Sequence, residues 1–421
     1  MVKYLIGLIT NDTILFGLLA SILAGVFYTQ KHQRFQAFYS VVPAVLLCYL
    51  LPAILVYLKV IDPSESKLYF VASRYLLPAA LVLMTLSVDL KAVLRLGPKA
   101  LIMFFTGTLG IIIGGPLALL ITGSVWPELL QLEGNDAIWR GLATIAGSWI
   151  GGGANQAAML EVFSYNKNFY GSMVLVDVLV ANFWLAILIF FVGKKAQIDR
   201  YLKADNRSID HLIEKMEGYQ KSVRRVTTTT DLMLLLGVGF GAVGLAHFTG
   251  NYISSQLPSW FPVLNDPKHI LASITSPFLW MVLTATIIGI LASKTNLRSL
   301  EGVGSSNLGS VFIYLLVATI GMQIDLRAIG EQPELLLIGL TWIGIHSLLL
   351  FLVGKWIKAP YFFLAVGSQA NVGGAASAPV IAASFHPALS SVGILLAICG
   401  YIVGTIGAYF CALLLQVAHN L

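Results

Sequence analysis

Two stretches decide how this chain is read: "GSWIGGGANQAA", Gly147 to Ala158, and "GSQANVGGAASA", Gly367 to Ala378. Both are full of glycine, which breaks helices, and of side-chain amides, yet both lie in surroundings apolar enough to span a bilayer. The whole chain shares those surroundings. Of its 421 residues, 57% are hydrophobic and 11% charged, with a mean hydropathy of +0.83. Runs of roughly 20 apolar residues, the length that crosses about 30 Å of hydrocarbon, recur nearly end to end. They leave no room for a sizeable soluble domain and predict an all-α polytopic membrane protein.

Twelve apolar runs can be drawn between turn and charge clusters, from 13–29 to 391–416. A basic stretch divides them six and six. Between Gly193 and Asp231 it carries nine Lys or Arg against five Asp or Glu, which marks it as a cytoplasmic connector by the positive-inside bias. Three units follow: a first transmembrane repeat over 1–193, the connector over 194–231, and a second repeat over 232–421. The net charge of +6 is small for this length. Mixed signs and few aromatics in the connector argue against nucleic acid.

Duplication rests on two landmarks in the same order. "TLSVDLKAV" (Thr85 to Val93) matches "GMQIDLRAI" (Gly321 to Ile329), pairing Asp89 with Asp325 and Lys91 with Arg327. The two Gly-Ser stretches match each other. The loop after Asp89 is basic and the loop after Asp325 acidic, so the matching loops favour opposite faces and the repeats are expected to be inverted. Six full crossings per half would instead make the halves parallel. One segment in each half should therefore turn back, and the Gly-Ser stretches are the candidates, as discontinuous or re-entrant segments among about 10 to 13 transmembrane helices. With hairpins, Lys and Arg divide 18 inside to 7 outside with Arg74 within a span; with all twelve crossing they divide 17 to 8. The charge count alone does not choose.

Broken helices at bilayer depth must be buried in protein or line a wet cavity, because lipid satisfies no backbone group. Two such breaks brought together offer N–H groups and partial positive charge to an anion, and carbonyls to a small cation. The candidate binding residues are Ser148, Gly151, Gly152, Gly153, Asn155, Gln156, Ser368, Gln369, Asn371, Gly373, Gly374 and Ser377. Buried side-chain amides need partners, which favours function for the Asn and Gln members, whereas small residues such as Gly151 serve helix packing equally well. Asp177 in "VLVDVLVAN", with Asn182 just beyond, is the intramembrane carboxylate expected to bind Na+ or shuttle a proton; a structural pair with Arg74 is the competing reading. Glu161, His247 and His346 read as satisfied or interfacial residues.

Enzyme chemistry finds no support in the sequence. HExxH, CxxC and the phosphate-binding P-loop pattern are absent, and nothing places a histidine beside Ser148 or Ser368. Cys48, Cys399 and Cys411 sit in apolar runs without metal or disulfide spacing. No cofactor is expected. The expected partners are a small-molecule or ion substrate, the bilayer and a second copy of the chain.

The stretches "RYLLPAALVLMTLSVDLKAVLRLGPKAL" (Arg74 to Leu101), "AGSWIGGGANQAAM" (Ala146 to Met159) and "GSQANVGGAASAPVIAA" (Gly367 to Ala383) resemble the YjcL-like membrane family, long catalogued as a domain of unknown function. The resemblance covers essentially the whole chain. More distantly, the plan is similar to the cation:proton antiporter and anion-transporter group, which includes sodium/glutamate and bile-acid symporters. That likeness implies inverted repeats, discontinuous segments centred on Gly151–Asn155 and Asn371–Ala375, and elevator-type motion coupled to Na+ or H+. The paired acids of electrogenic sodium/proton antiporters are missing, since Asp177 lies between Val176 and Val178. The expectation is thus a secondary transporter of a small anionic organic solute in a bacterial plasma membrane, against a passive channel or exporter and a non-transporting scaffold or sensor.

Overall fold

A computed structural model of the protein describes residues 9–39, 42–87, 90–204, 209, 227–266, 269–327, 334–386 and 389–421. Asp89 and most of the basic connector lie outside the described residues. Every named element among them is helical: α1 (Asp12–Lys31), α2 (Ala44–Tyr57), α3 (Leu68–Leu86), α4 (Pro98–Val125), α5 (Ile138–Gly151), α6 (Gly153–Val162), α7 (Tyr170–Val192), α8 (Thr229–Trp260), α9 (Pro277–Ala292), α10 (Ser305–Gly321), α11 (Glu334–Trp356), α12 (Tyr361–Val372), α13 (Gly374–Phe385) and α14 (Ser390–His419), with short turns between them. Seven of these are long and apolar enough to cross a membrane, and α2 and α9 reach that length only together with a short neighbouring helix across a bend, as a broken span or a re-entrant loop. The 17-residue α10 is apolar too. Each of the twelve runs expected from the sequence therefore holds a helix among the described residues, and the protein is an all-α, multi-pass integral membrane protein.

Local chemistry sets several of the ends. Asn11 caps α1 by accepting the Thr13 and Ile14 amides, and Thr228 and Asp231 form a reciprocal capping box at α8. Ser276 caps α9 ahead of Pro277, whose fixed φ suits a first helical turn. After α9 the chain turns by 98° into a short helix, Asn296–Val303, before α10 begins.

The two Gly-Ser segments fold back on themselves. In a straight helix, residues 147 and 155 would stand about 12 Å apart; here a methyl group placed on Gly147 would fall 2.6 Å from the Asn155 carbonyl oxygen. At the open end the Trp139 and Phe163 rings meet at 5.4 Å, and the Arg140 guanidinium donates to the Phe163 carbonyl. Helices α5 and α6 are thus the arms of a hairpin whose tip is Gly152, at φ 79°, a backbone region open to glycine. The second hairpin is α12 and α13. Phe385 packs on Tyr361 and Phe362 at 5.7 and 5.3 Å, Gln369 donates to Ser377 across the arms, and Gly374 turns the tip at φ 56°.

Long-range bonds sort the ends of the elements onto two faces. Lys99 reaches the Lys358 carbonyl, Asp199 accepts the Tyr361 amide and Lys355 bonds Tyr201, so these residues share the face from which the connector leaves. Asp12 accepts the Lys67 amide, Asn166 donates to Asp136, Asp325 N–H meets the Asn168 carbonyl and Ser273 bonds Tyr409 at the distal face. The first hairpin opens on the distal face and the second on the connector face. Their tips meet halfway along α14, where a methyl on Gly400 would fall 2.6 Å from the Ile150 carbonyl oxygen and one on Gly404 would fall 2.6 Å from Gly151 Cα.

Two layers result. A core of α4, α7, α11, α14 and the hairpins is knitted by contacts such as Trp342, whose indole donates to the Ile111 carbonyl. The wall is α1, α2, α3, α8, α9 and α10. It is packed through small residues, as lipid-embedded helices require: a methyl on Gly321 would lie 2.4 Å from the Tyr49 carbonyl oxygen, and one on Gly289 1.9 Å from Thr85 Oγ1.

Candidate functional site

Asp177 projects from α7 into the first hairpin and is 7% exposed. Its Oδ1 accepts the Trp149 indole N–H at 2.7 Å and its Oδ2 the Gln156 amide at 3.0 Å. The Ser148 hydroxyl bonds the same carboxylate. These neutral donors hold a carboxylate without cancelling its charge. Arg74 is not its partner: that guanidinium pairs with Glu161 at 2.8 Å.

A cavity of about 430 Å3 opens beside Asp177, between the core and the wall. The core side presents Ser148, Gln156 and Asp177, both hairpin tips through Gly152, Gly153, Gly373 and Gly374, and Ile394, Ile398 and Tyr401 of α14. The wall side presents Val45, Tyr49 and Met84, then Glu301, Ser306, Asn307, Ser310 and Tyr314. Helices α6 and α13 both begin at the cavity, and neither has a side-chain cap. Their first amides carry the positive end of a helix dipole. Among the described lining residues the charged side chains are Asp177 and Glu301, both acidic. Glu301 spends its oxygens on the Ser306 amide (3.0 Å) and hydroxyl (2.6 Å), again neutral donors.

The remaining sequence candidates lie behind this surface or away from it. Asn155 donates to the Gly151 carbonyl and accepts Thr405 of α14 at 2.5 Å. Asn371 donates to the carbonyls of Gly367 and Phe104 and accepts Thr108 of α4 at 2.7 Å. Both asparagines are fully buried and do not line the cavity. Their polar atoms are used up in fastening each hairpin to a long helix. Gln369 and Ser377 bond each other. Gly151 faces Gly404 at close range, a packing role. Asn182 is exposed on the outer side of α7 and returns its amide to the Val178 carbonyl, away from Asp177.

Ser368 has a histidine beside it, contrary to expectation. His346 Nε2 lies 2.8 Å from Ser368 Oγ, and its Nδ1 faces the Gly107 carbonyl at 3.0 Å. The Trp184 indole also donates to Ser368 Oγ. Both Ser368 and His346 are 0% exposed and neither borders the Asp177 cavity, so in this conformation the pair is sealed from it. His346 and Glu161 are satisfied residues, as expected. Glu301 escaped sequence reading because its place at the bend before α10 looks like an ordinary interfacial acid. The spacing from Glu301 to Ser306, five residues across a Gly304 turn, was the one signal for it.

Comparison with known proteins bears on the whole chain. Over 358 residues, 81% of this chain and 82% of the other, it is 26% identical to the uncharacterized membrane protein YjcL of Bacillus subtilis (strain 168). Residues 17–418 match a family described as protein of unknown function, DUF819. With all but its ends matched, the chain belongs to the DUF819 family.

Proposed function

We propose that the protein is a secondary transporter of a small organic solute bearing an anionic group, coupled to Na+ or H+, in which the core slides along the wall. One observation carries this reading: two hairpins from opposite faces bring their tips and Asp177 to a single cavity at the core–wall boundary. The uncapped starts of α6 and α13 suit the anionic group. The two lining carboxylates, unmatched by any base among the described lining residues, suit an accompanying cation or proton, since a buried carboxylate left unneutralised costs several kcal/mol. Hydrolytic chemistry gains nothing here, because Ser368 is sealed. We also infer an inverted duplication. Each half has five crossings and one hairpin, and α1 starts at the distal face whereas α8 starts at the connector face, an odd count with opposed directions.

Purified protein in proteoliposomes, screened for uptake of organic anions under an imposed Na+ or H+ gradient, tests the proposal. Asp177→Asn should cut gradient-driven uptake at least about tenfold, a change of about 1.4 kcal/mol, while the protein still folds. Gradient-driven flux equal to that of the unaltered protein would sink the coupling role, and flux without any gradient dependence would favour a channel.

A further inference from the structure

We infer that Glu161, held by Arg74 and Tyr69, is the latch that keeps the distal side shut in this conformation, a step that rests on the transport reading above. The Asp177 cavity lies in the connector-side half of the boundary; two clefts of about 590 and 490 Å3 open on the distal face beside Lys167, and neither reaches Asp177. From Asp177 the cavity lining runs toward the connector-face ends of the elements, to Val45 at the start of α2, Ser306 at the start of α10 and Ile394 near the start of α14. On the distal half, polar side chains bridge the layers instead. Glu161, on the outer arm of the first hairpin, receives the Tyr69 hydroxyl and the Arg74 guanidinium at 2.8 Å, both from α3 of the wall.

The latch is built to hold. The Glu161 side chain is only 10% exposed, and Lys167 of the core adds a second ion pair at 3.3 Å. Arg74 is anchored on its own side, over the Phe278 ring at 4.5 Å, while its carbonyl meets His247. It leaves from a stretch of π-helix, Ala72–Leu76, a local irregularity of the kind found at functional positions. Opening the distal side means carrying Glu161 away from α3, which strands the partly buried Arg74 guanidinium until it is rehydrated and leaves Glu161 with Lys167 alone. The pair therefore biases the equilibrium between the two conformations without touching the solute.

A reporter on the moving tip tests this directly. Ala375→Cys lines the cavity, and the native cysteines are buried, so a membrane-impermeant maleimide can be applied from either face in turn. Connector-side labelling should dominate in the otherwise unaltered protein. Adding Glu161→Gln, Arg74→Gln or Tyr69→Phe should each raise the distal-to-connector labelling ratio by at least about fivefold. Asn166→Ala, which breaks a bond to Asp136 within the core on the same face, should leave the ratio alone. A ratio unmoved by the three latch variants, while the reporter still labels from both faces, overturns the latch and spares the transport reading. Equal shifts in all four variants also overturn it, because that reports general loosening. A tip that is never labelled from the distal face in any variant removes the moving core and the latch together.

Discussion

Four side-chain amides in the Gly-Ser stretches look alike in the sequence, and the fold gives them different work. Gln156 is the one that meets Asp177, whereas Asn155 and Asn371 are fasteners whose partners, Thr405 and Thr108, lie on distant stretches of chain. Which face of a hairpin arm a residue occupies depends on where the arm turns, and that pairing is invisible to local spacing. The same holds for His346, whose serine neighbour is set by packing of α11 on α12. The distinction has a measurable consequence. Asn155→Ala with Thr405→Val in a double-mutant cycle should show a coupling of about 0.6 kcal/mol in unfolding stability, the average for hydrogen bonds between membrane helices, and no more than about 1.7 kcal/mol, the largest of them. Stabilisation of the purified protein by sodium or an organic anion, read as a thermal shift, should survive in Asn155→Ala; a loss of that response at unchanged stability would return Asn155 to the binding surface.

At the scale of elements, the hairpins were legible as interruptions, and the inverted-repeat argument made turning back a candidate without deciding it against a broken crossing. Glycine, serine and amides in an apolar run announce a break, but a kinked crossing and a re-entrant loop share that composition. The distinction is made by contacts such as Trp139 with Phe163 and Phe385 with Tyr361, which bring the two ends of each segment together. Helix α14 is what lets the tips approach. Its Gly393, Gly400 and Gly404 leave room where any side chain would strike Ala378, Ile150 or Gly151 backbone at 2.4 to 2.6 Å. Backbone offers no flexible end to move aside. Gly404→Leu should therefore push the first hairpin off α14 and cost more than about 2 kcal/mol, the upper range for overpacking a tight contact, with flux abolished. Gly244→Leu on α8, where a methyl would meet nothing within 4 Å, should be neutral in both measurements. If Gly404→Leu left thermal stability and flux unchanged, the close seating of the tip on α14 would be wrong.

For the whole molecule, the hairpins settle an ambiguity that charge counting leaves open. With both Gly-Ser segments crossing, Lys and Arg divide 17 to 8; with both turning back they divide 18 to 7, and a difference of one residue decides nothing. The paired contacts at the hairpin bases decide it, and they imply a sidedness that chemistry can read. Asn135 and Ser164 flank the first hairpin, both exposed, and the Asn135 carbonyl accepts the amide of Asn166, two residues past Ser164. Lys355 and Ser384 flank the second, also exposed. Cys48, Cys399 and Cys411 are buried and supply little background. Single cysteines at the four positions, labelled with an impermeant reagent in sealed vesicles of known orientation, should therefore fall into two pairs: Asn135→Cys and Ser164→Cys from one face, Lys355→Cys and Ser384→Cys from the other. A crossing segment would split its own pair between the faces, so labelling of Asn135→Cys and Ser164→Cys from opposite sides would remove the first hairpin and, with it, the meeting of the two tips at Asp177.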